Sequence, residues 1–319
     1  MKESDYMGES FFAALRVVCT MVILMAIGWV CRIMGVIDRP AMKAYDRVIF
    51  KVFMPVLLFK NIYDMDFSQG FAYREMMFTG ICMLVNFVFC LKLPRYLTND
   101  PRKSSVIGQA VVRGNYILFG VAVSEALYGE GNIGAVVMLG VLVVPAINVF
   151  SAIILESGLS GRSSPGKLIM AVLKNPMIVG AIFAFIFKAF TIPLPSPVHS
   201  VVRSVANSTV TISFISLGVG LDMADAVADR RLLLWGIFLR MVVVPVVFMP
   251  LAIVSGFRDQ SLCAILVAFA APSAVASYPM AVAMGADGQL AGQLVCMTTL
   301  ISILTMFLWT LFLRSMGLM

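Results

Sequence analysis

VVRGNYILFG, residues 111–120, sets an arginine, a glycine and an asparagine side by side in the middle of an apolar stretch. A continuous membrane helix gains nothing from that triplet, because the charge is costly at depth and the glycine weakens the helix. A helix broken at its centre accommodates it, with Arg113, Gly114 and Asn115 at the break. AAPSAVASYPM, residues 270–280, has the same character and carries Pro272, Ser273 and Pro279 inside its own apolar run. Proline lacks the N–H and clashes with the preceding turn, so both prolines are expected to kink or unwind that run. Backbone freed in this way persists at membrane depth only where protein or a watery cavity satisfies it.

The rest of the chain supplies the membrane setting. Of its 319 residues, 61% are hydrophobic and only 13% charged, against about a quarter charged in soluble domains. The expected class is an all-α integral membrane protein. Apolar runs fall at roughly 11–35, 47–63, 71–93, 104–127, 132–155, 175–192, 198–221, 231–254, 260–285 and 290–314, and about 20 residues suffice to cross the hydrocarbon core. The start, MKESDYMGES, has one lysine against three acids and lacks the basic opening of a signal peptide, so it is expected to stay in the mature protein.

The net charge of +7 lies in short loops between apolar runs, a pattern of topology signals and not of a nucleic-acid surface. The six cysteines all fall inside apolar runs without CxxC spacing, which predicts buried free thiols. There is one histidine, His199, and no HExxH pattern. No catalytic residue, resident metal or cofactor is expected, and no enzyme activity.

Basic residues set the orientation. The loops after the first and third runs carry Arg32, Arg39, Lys43, Arg47, Lys51, Lys92, Arg95, Arg102 and Lys103, whereas the N-terminus and the loops after the second and fourth runs carry only Lys2, Lys60 and Arg74. The positive-inside rule then puts the odd-numbered loops in the cytoplasm and both termini outside, in a multi-pass protein of the cell membrane. The predicted organisation is a first five-helix repeat over 1–156, a cytoplasmic Gly/Ser-rich linker over 157–174 and a second repeat over 175–319.

A weak internal likeness supports that division. It aligns Pro40 near Pro197, Asp64 with Asp222, Asn115 with Ser273 and Gly129 with Gly285. Five spans per half invert the second half relative to the first, the architecture of secondary transporters, whose sites lie at the midplane on discontinuous helices. Here those are the fourth and ninth runs, broken and crossing. Each break exposes the N-terminus of a second half-helix, with free N–H groups and partial positive charge. With Arg113 beside them they would form an anion cradle.

The expected substrate-binding residues are Arg113, Gly114, Asn115, Pro272, Ser273 and Tyr278. Asp64, Asp222 and Arg240 are candidates for coupling or gating. Each has a plainer alternative. An arginine can pair structurally or snorkel, Asn115 can be a packing amide, Tyr278 can pack, and Asp64 and Asp222 can be solvated helix ends. Thr298, Ser302 and Thr305 share a helix face suited to close packing.

The chain resembles the auxin efflux carrier family, in its small bacterial branch that includes malonate- and malate-carrier-like proteins. The resemblance rests on GWVCRIMGVID with VFMPVLLF, GNYILFG, KNPMIVGAIFAF, AAPSAVASYPMAVAMGADG and TTLISILT, in that order along nearly the whole chain. It implies ten spans in two inverted repeats, crossing at spans four and nine, with Asn115 and Pro272 at the family's crossover positions. Where the family often has GxP after that asparagine, GVA here puts Ala122 at the proline, so the break in the fourth span would rest on Gly114 and Gly120.

The function expected is secondary transport of small organic anions, carboxylates or auxin-like acids, by alternating access and coupled to H+ or Na+. The lipid bilayer is the other partner, nucleic acid is none, and a homodimer is compatible with the chain. A cation/proton antiporter or sodium-coupled symporter on the same scaffold is the alternative within transport. A non-transporting membrane receptor is the alternative outside it.

Overall fold

The computed structural model describes residues 3–64, 72–159, 166, 170, 173–221 and 229–319, with side chains from residue 15 onward except at 16, 17, 39 and 43. Asp222, most of the 157–174 linker and the side chains of Arg16, Arg39 and Lys43 lie outside the described residues. The described helices group into ten stretches that overlap the ten apolar runs, the second beginning at Arg39, ahead of its run.

In order, α1 spans Glu3–Ile33. The second stretch joins α2 (Arg39–Val48) through a π-helical turn at Ile49–Phe53 to α3 (Met54–Tyr63), and the third is α4 (Tyr73–Lys92), followed by the short α5 (Pro94–Leu97). The fourth is split into α6 (Pro101–Val112) and α7 (Tyr116–Tyr128), and the fifth is α8 (Gly134–Leu159). The second half brings α9 (Pro176–Ala189) and α10 (Ser196–Gly220), then α11 (Arg230–Phe238), a π turn at Leu239–Val243 and α12 (Val244–Val254). Its ninth stretch is split into α13 (Asp259–Ala270) and α14 (Ser277–Met284), and α15 (Gly288–Ser315) ends the fold.

Local sequence explains where these helices start. Asp100, Asn175 and Asp287 cap α6, α9 and α15, accepting from the N–H groups of Arg102, Met177 and Leu290 at 2.8, 3.0 and 3.0 Å. Pro101 and Pro176 follow their caps directly, where a missing N–H costs nothing. Both π turns lie just ahead of a proline, Pro55 and Pro245. The wider turn relieves the clash between the proline ring and the carbonyl a turn earlier.

The helices sort into two packed groups. In one, α1 lies along α10 and α9 along α3 and the π turn before it, with α10 also against α2 and α3. Under the repeat relation these two contacts exchange, first with sixth and second with seventh. In the other group α6 packs on α8 and α4, and α13 on α12, α7 and α8. The seam between the groups runs where α1 meets α7 and α15, and where α14 meets α2 and α10.

The α1–α10 contact is close because neither helix has a side chain at the crossing. A Cβ on Gly28 would lie 2.0 Å from the carbonyl oxygen of Ile215, and one on Gly218 would lie 2.0 Å from that of Met25. Without a hydrophobic force between helices in lipid, small residues that let backbones approach provide the packing. Large apolar side chains remain exposed around the outside, among them Ile23, Trp29, Ile81, Phe183, Leu234 and Leu304. Among the described residues, four helical stretches, Tyr73–Leu97, Gly134–Leu159, Arg230–Val254 and Gly288–Ser315, are long and apolar enough on their own to cross a membrane.

Gly218→Val should therefore separate α1 from α10 and destabilise the fold by about 1–3 kcal/mol or more. The check is the thermal midpoint in detergent against Ile23→Ala, which alters an outward-facing residue. A Gly218→Val protein as stable as its parent would show that the close approach does not hold these helices together.

Candidate functional site

The two broken stretches cross and pair. Residues 113–115 interrupt the fourth and residues 271–276 the ninth. Gly114 and Ser273 face each other as an isolated antiparallel bridge. The N–H of Asn115 donates to the carbonyl of Pro272 at 2.8 Å, and that of Ala274 to the carbonyl of Arg113 at 2.9 Å. Each break thus satisfies the other's backbone, which non-helical chain at membrane depth requires.

Two buried arginines complete the crossing. Arg240, wholly buried on the π turn before α12, donates from Nε to the Ala271 carbonyl and from Nη1 to the Val111 carbonyl, both at 2.8 Å. Those carbonyls end the first half-helices α13 and α6, where two negative dipole ends converge, so one guanidinium neutralises both. Its Nη2 has no hydrogen-bond partner and lies against Gly114, where a Cβ would come within 2.1 Å of it. Gly114 is therefore required by space.

Arg113, 3% exposed, donates from Nη2 to Asn148 Oδ1 on α8 at 2.7 Å and from Nη1 to the Ala276 carbonyl at 3.2 Å. The sulfurs of Met280 and Met177 complete its surroundings at 2.9 and 3.9 Å. Neither arginine has a carboxylate within ion-pair distance among the described residues.

The predicted site residues have different fates. Arg113, Gly114, Asn115, Pro272 and Ser273 come together at the crossing. Asn115 precedes α7, whose first-turn amides have no partner within the helix, and its Nδ2 is buried without a partner. Ser273 is engaged on both sides, its hydroxyl donating to the Ala110 carbonyl at 2.9 Å and its N–H to Thr298 Oγ1 at 3.1 Å. At α14 the amides of Ser277 and Tyr278 turn back to Ala274 and Val275. The two half-helix ends thus differ: that of α7 is open, that of α14 closed.

Tyr278 is buried with its hydroxyl against Gly220. It lines a cavity of about 750 Å³ together with Asp46, Arg47, Arg102, Val282 and Asp287. That cavity opens between the odd-numbered loops. Asp64 stands away from the crossing at the opposite end, half-exposed beside Lys60 at 3.3 Å and His199 at 3.5 Å.

Three sequence expectations need correction, the first being that all six thiols are buried: Cys19 is exposed and Cys31 half-buried. Gly120 does not break the fourth stretch; it lies inside α7, where its missing Cβ admits Val136. Pro279 does not kink the ninth; it sits in the first turn of α14, where proline is tolerated. Two polar residues outside the expected set also matter. Asn148 orients Arg113, and Asp46 lies buried at the cavity. Asp46 was legible as a lone acid on the stripe Met42, Asp46, Ile49 and Phe50, all buried and at helical spacing.

The fit of Arg240 against Gly114 predicts coupling between them. Gly114→Ala should cost about 1–3 kcal/mol in the parent protein and clearly less in an Arg240→Ala background, a non-additivity of at least about 0.5 kcal/mol. Thermal unfolding of the four proteins in detergent measures it. Strict additivity would mean that the guanidinium does not occupy that space.

Residues 13–164 and 160–310 match the model of a family described as membrane transport proteins. An uncharacterized transporter of Methanothermobacter thermautotrophicus (strain Delta H) is 21% identical over 311 residues, covering 94% of this chain and 98% of that protein. These matches place the chain among transport proteins and not enzymes. With its apolar helices and crossed breaks, this chain belongs to the membrane transport protein family, that of the auxin efflux carriers.

Proposed function

We propose that this protein is a secondary carrier of small organic anions, carboxylates or auxin-like acids, that binds them at the crossing of the broken helices and works by alternating access. One observation carries the reading: Arg113 is buried at the crossing and no described carboxylate pairs with it, while the neighbouring Arg240 is already engaged by the two half-helix ends. Buried charge without a counter-charge is costly, and an anionic substrate would supply one.

Asn115 Nδ2 and the open amides of α7 offer donors to the same anion. Arg113 is the specific contact. Arg240 sets the field while holding the half-helix ends together. Ser273 and Pro272 shape the crossing, and Tyr278 borders the approach from the cavity. A cation/proton antiporter would need a carboxylate at this depth, and Asn148 stands there instead.

In this proposal the ten helical stretches are ten spans of the cell membrane, in two inverted repeats, with both termini outside. Nine basic residues in the first and third loops, named above, support that orientation, which opens the 750 Å³ cavity toward the cytoplasm. H+ or Na+ would drive the transport.

Liposomes containing the protein, assayed with labelled malonate, malate and indole acetate with and without a pH gradient, test the function. Accumulation of at least one acid is expected, and none would remove the carrier reading. Asn115→Ala should weaken binding by about 1.5–3 kcal/mol, the scale of a hydrogen bond to a charged group. Arg113→Ala should weaken it further, and Arg113→Lys should recover part, because an ammonium lacks the planar fork. Anion-induced thermal stabilisation in detergent reports these effects without turnover. If Arg113→Ala bound the anion as tightly as the parent, the arginine would be structural only.

A further inference from the structure

At the floor of the 750 Å³ cavity lies an acid that the crossing does not use. Asp46 is fully buried on α2. Its Oδ1 accepts from the hydroxyl of Ser216 on α10, and its Oδ2 has no hydrogen-bond partner. No described cation pairs with it. An ionised carboxylate held this way carries the full desolvation cost on one bare oxygen, and the neutral acid avoids that cost.

We infer that Asp46 and Ser216 form a proton-binding site that exchanges with the cavity on the odd-loop side, separate from the anion site at the crossing. The step is simple protonation: Oδ2 takes H+ from the cavity, the carboxylate becomes a neutral carboxylic acid, and Ser216 keeps donating to Oδ1. Asp46 and Ser216 together offer two side-chain groups, so a metal cation would need most of its ligands from backbone carbonyls or water, whereas a proton needs none. No group of three or more His, Cys, Asp or Glu that could hold one occurs among the described residues. The proton is the occupant that fits.

The surroundings define what can influence it. On its own helix the neighbouring Arg47 is exposed. From α10 the facing groups are Ser216 and Gly220, neither titratable, and from α14 the facing group is Tyr278. Arg102 in the first turn of α6 and Asp287 at the cap of α15 line the same cavity. Asp46 also stands at the seam, where α2 packs against α14, the second half of the broken ninth stretch. Charging it places an uncompensated anion at that contact. Its protonation state would therefore bias the packing of one helix group on the other. That coupling to transport rests on the carrier reading; the proton site itself does not.

Infrared difference spectra of the purified protein in nanodiscs, titrated from acid to alkaline pH, test the site without any substrate. The parent should show a carboxylic-acid carbonyl band that disappears on deprotonation. Asp46→Asn should lose that component, and Ser216→Ala should keep it at a higher frequency, because the carbonyl oxygen then accepts one hydrogen bond fewer. Asp46→Glu retains the acid should Asn prevent folding, and should keep a titrating band. An unchanged band in Asp46→Asn overturns the proposal. So does its loss on replacing choline with Na+ at fixed pH, which would make the ion sodium. In liposomes, the pH-gradient stimulation of labelled malonate, malate or indole acetate uptake should fall in Asp46→Asn to the rate without a gradient, and retention of the full stimulation overturns the coupling. If none of these acids is transported by the parent, the carrier reading falls while the infrared result still decides the proton site.

Discussion

Two hydrogen bonds, Asn115 N–H to Pro272 and Ala274 N–H to Arg113, hold the structure's centre. They exist because two helices stop in the interior, and a stopped helix leaves backbone groups that lipid cannot satisfy. Once the breaks are paired with each other, the remaining features have little freedom. The first half-helices converge with their negative ends, and Arg240 meets both. The guanidinium must lie against the paired backbone, and so residue 114 has no side chain. Thr298 on α15 takes the N–H of Ser273, which ties the crossing to the last helix.

The second half-helices are where the two repeats diverge. Here α14 begins in a turn that uses its amides, while α7 begins at Asn115 with donors to spare. Arg113 stands on the open side. Asn148 turns the guanidinium without neutralising it, because an amide oxygen is an acceptor with no charge. A carboxylate in place of Asn148 would close the pair internally and leave less for a ligand. The positive character of the crossing therefore follows from an uncharged partner as much as from the arginine.

Much of this was legible in the sequence, and the failures have physical causes. The ten stretches follow from apolar length, and the breaks from Arg-Gly-Asn and from Pro272, since each would be costly inside an unbroken helix. Gly120 and Pro279 were misread because propensity alone cannot separate a residue that breaks a helix from one that accommodates a neighbour or a first turn. For Gly114 the sequence indicated a break, yet the reason is the guanidinium of a residue more than a hundred positions away. Asp46 fell just outside the predicted apolar run, because hydropathy sees only the lipid-crossing part of a helix that begins at Arg39. Helical periodicity, applied beyond that run, would have placed it on the buried face.

The distribution of polar contacts also says where the fold can give. Within the first group, Asp46 meets Ser216, Thr209 meets the Phe53 carbonyl, and Lys188 meets the Tyr63 carbonyl. Within the second, Lys103 pairs with Asp229, Arg102 with the Gly285 carbonyl, Ser261 with Glu75 and Arg314 with the Leu127 carbonyl. Across the seam, Arg113 and Asn175 reach the sulfurs of Met177 and Met284, at 3.9 and 4.0 Å. A thioether is a weak acceptor on a flexible side chain, so such a contact resists sliding far less than a carboxylate or carbonyl does. Polar bonds run within each group, and these two softer contacts lie between the groups, near the crossing and the cavity that Asp46 lines.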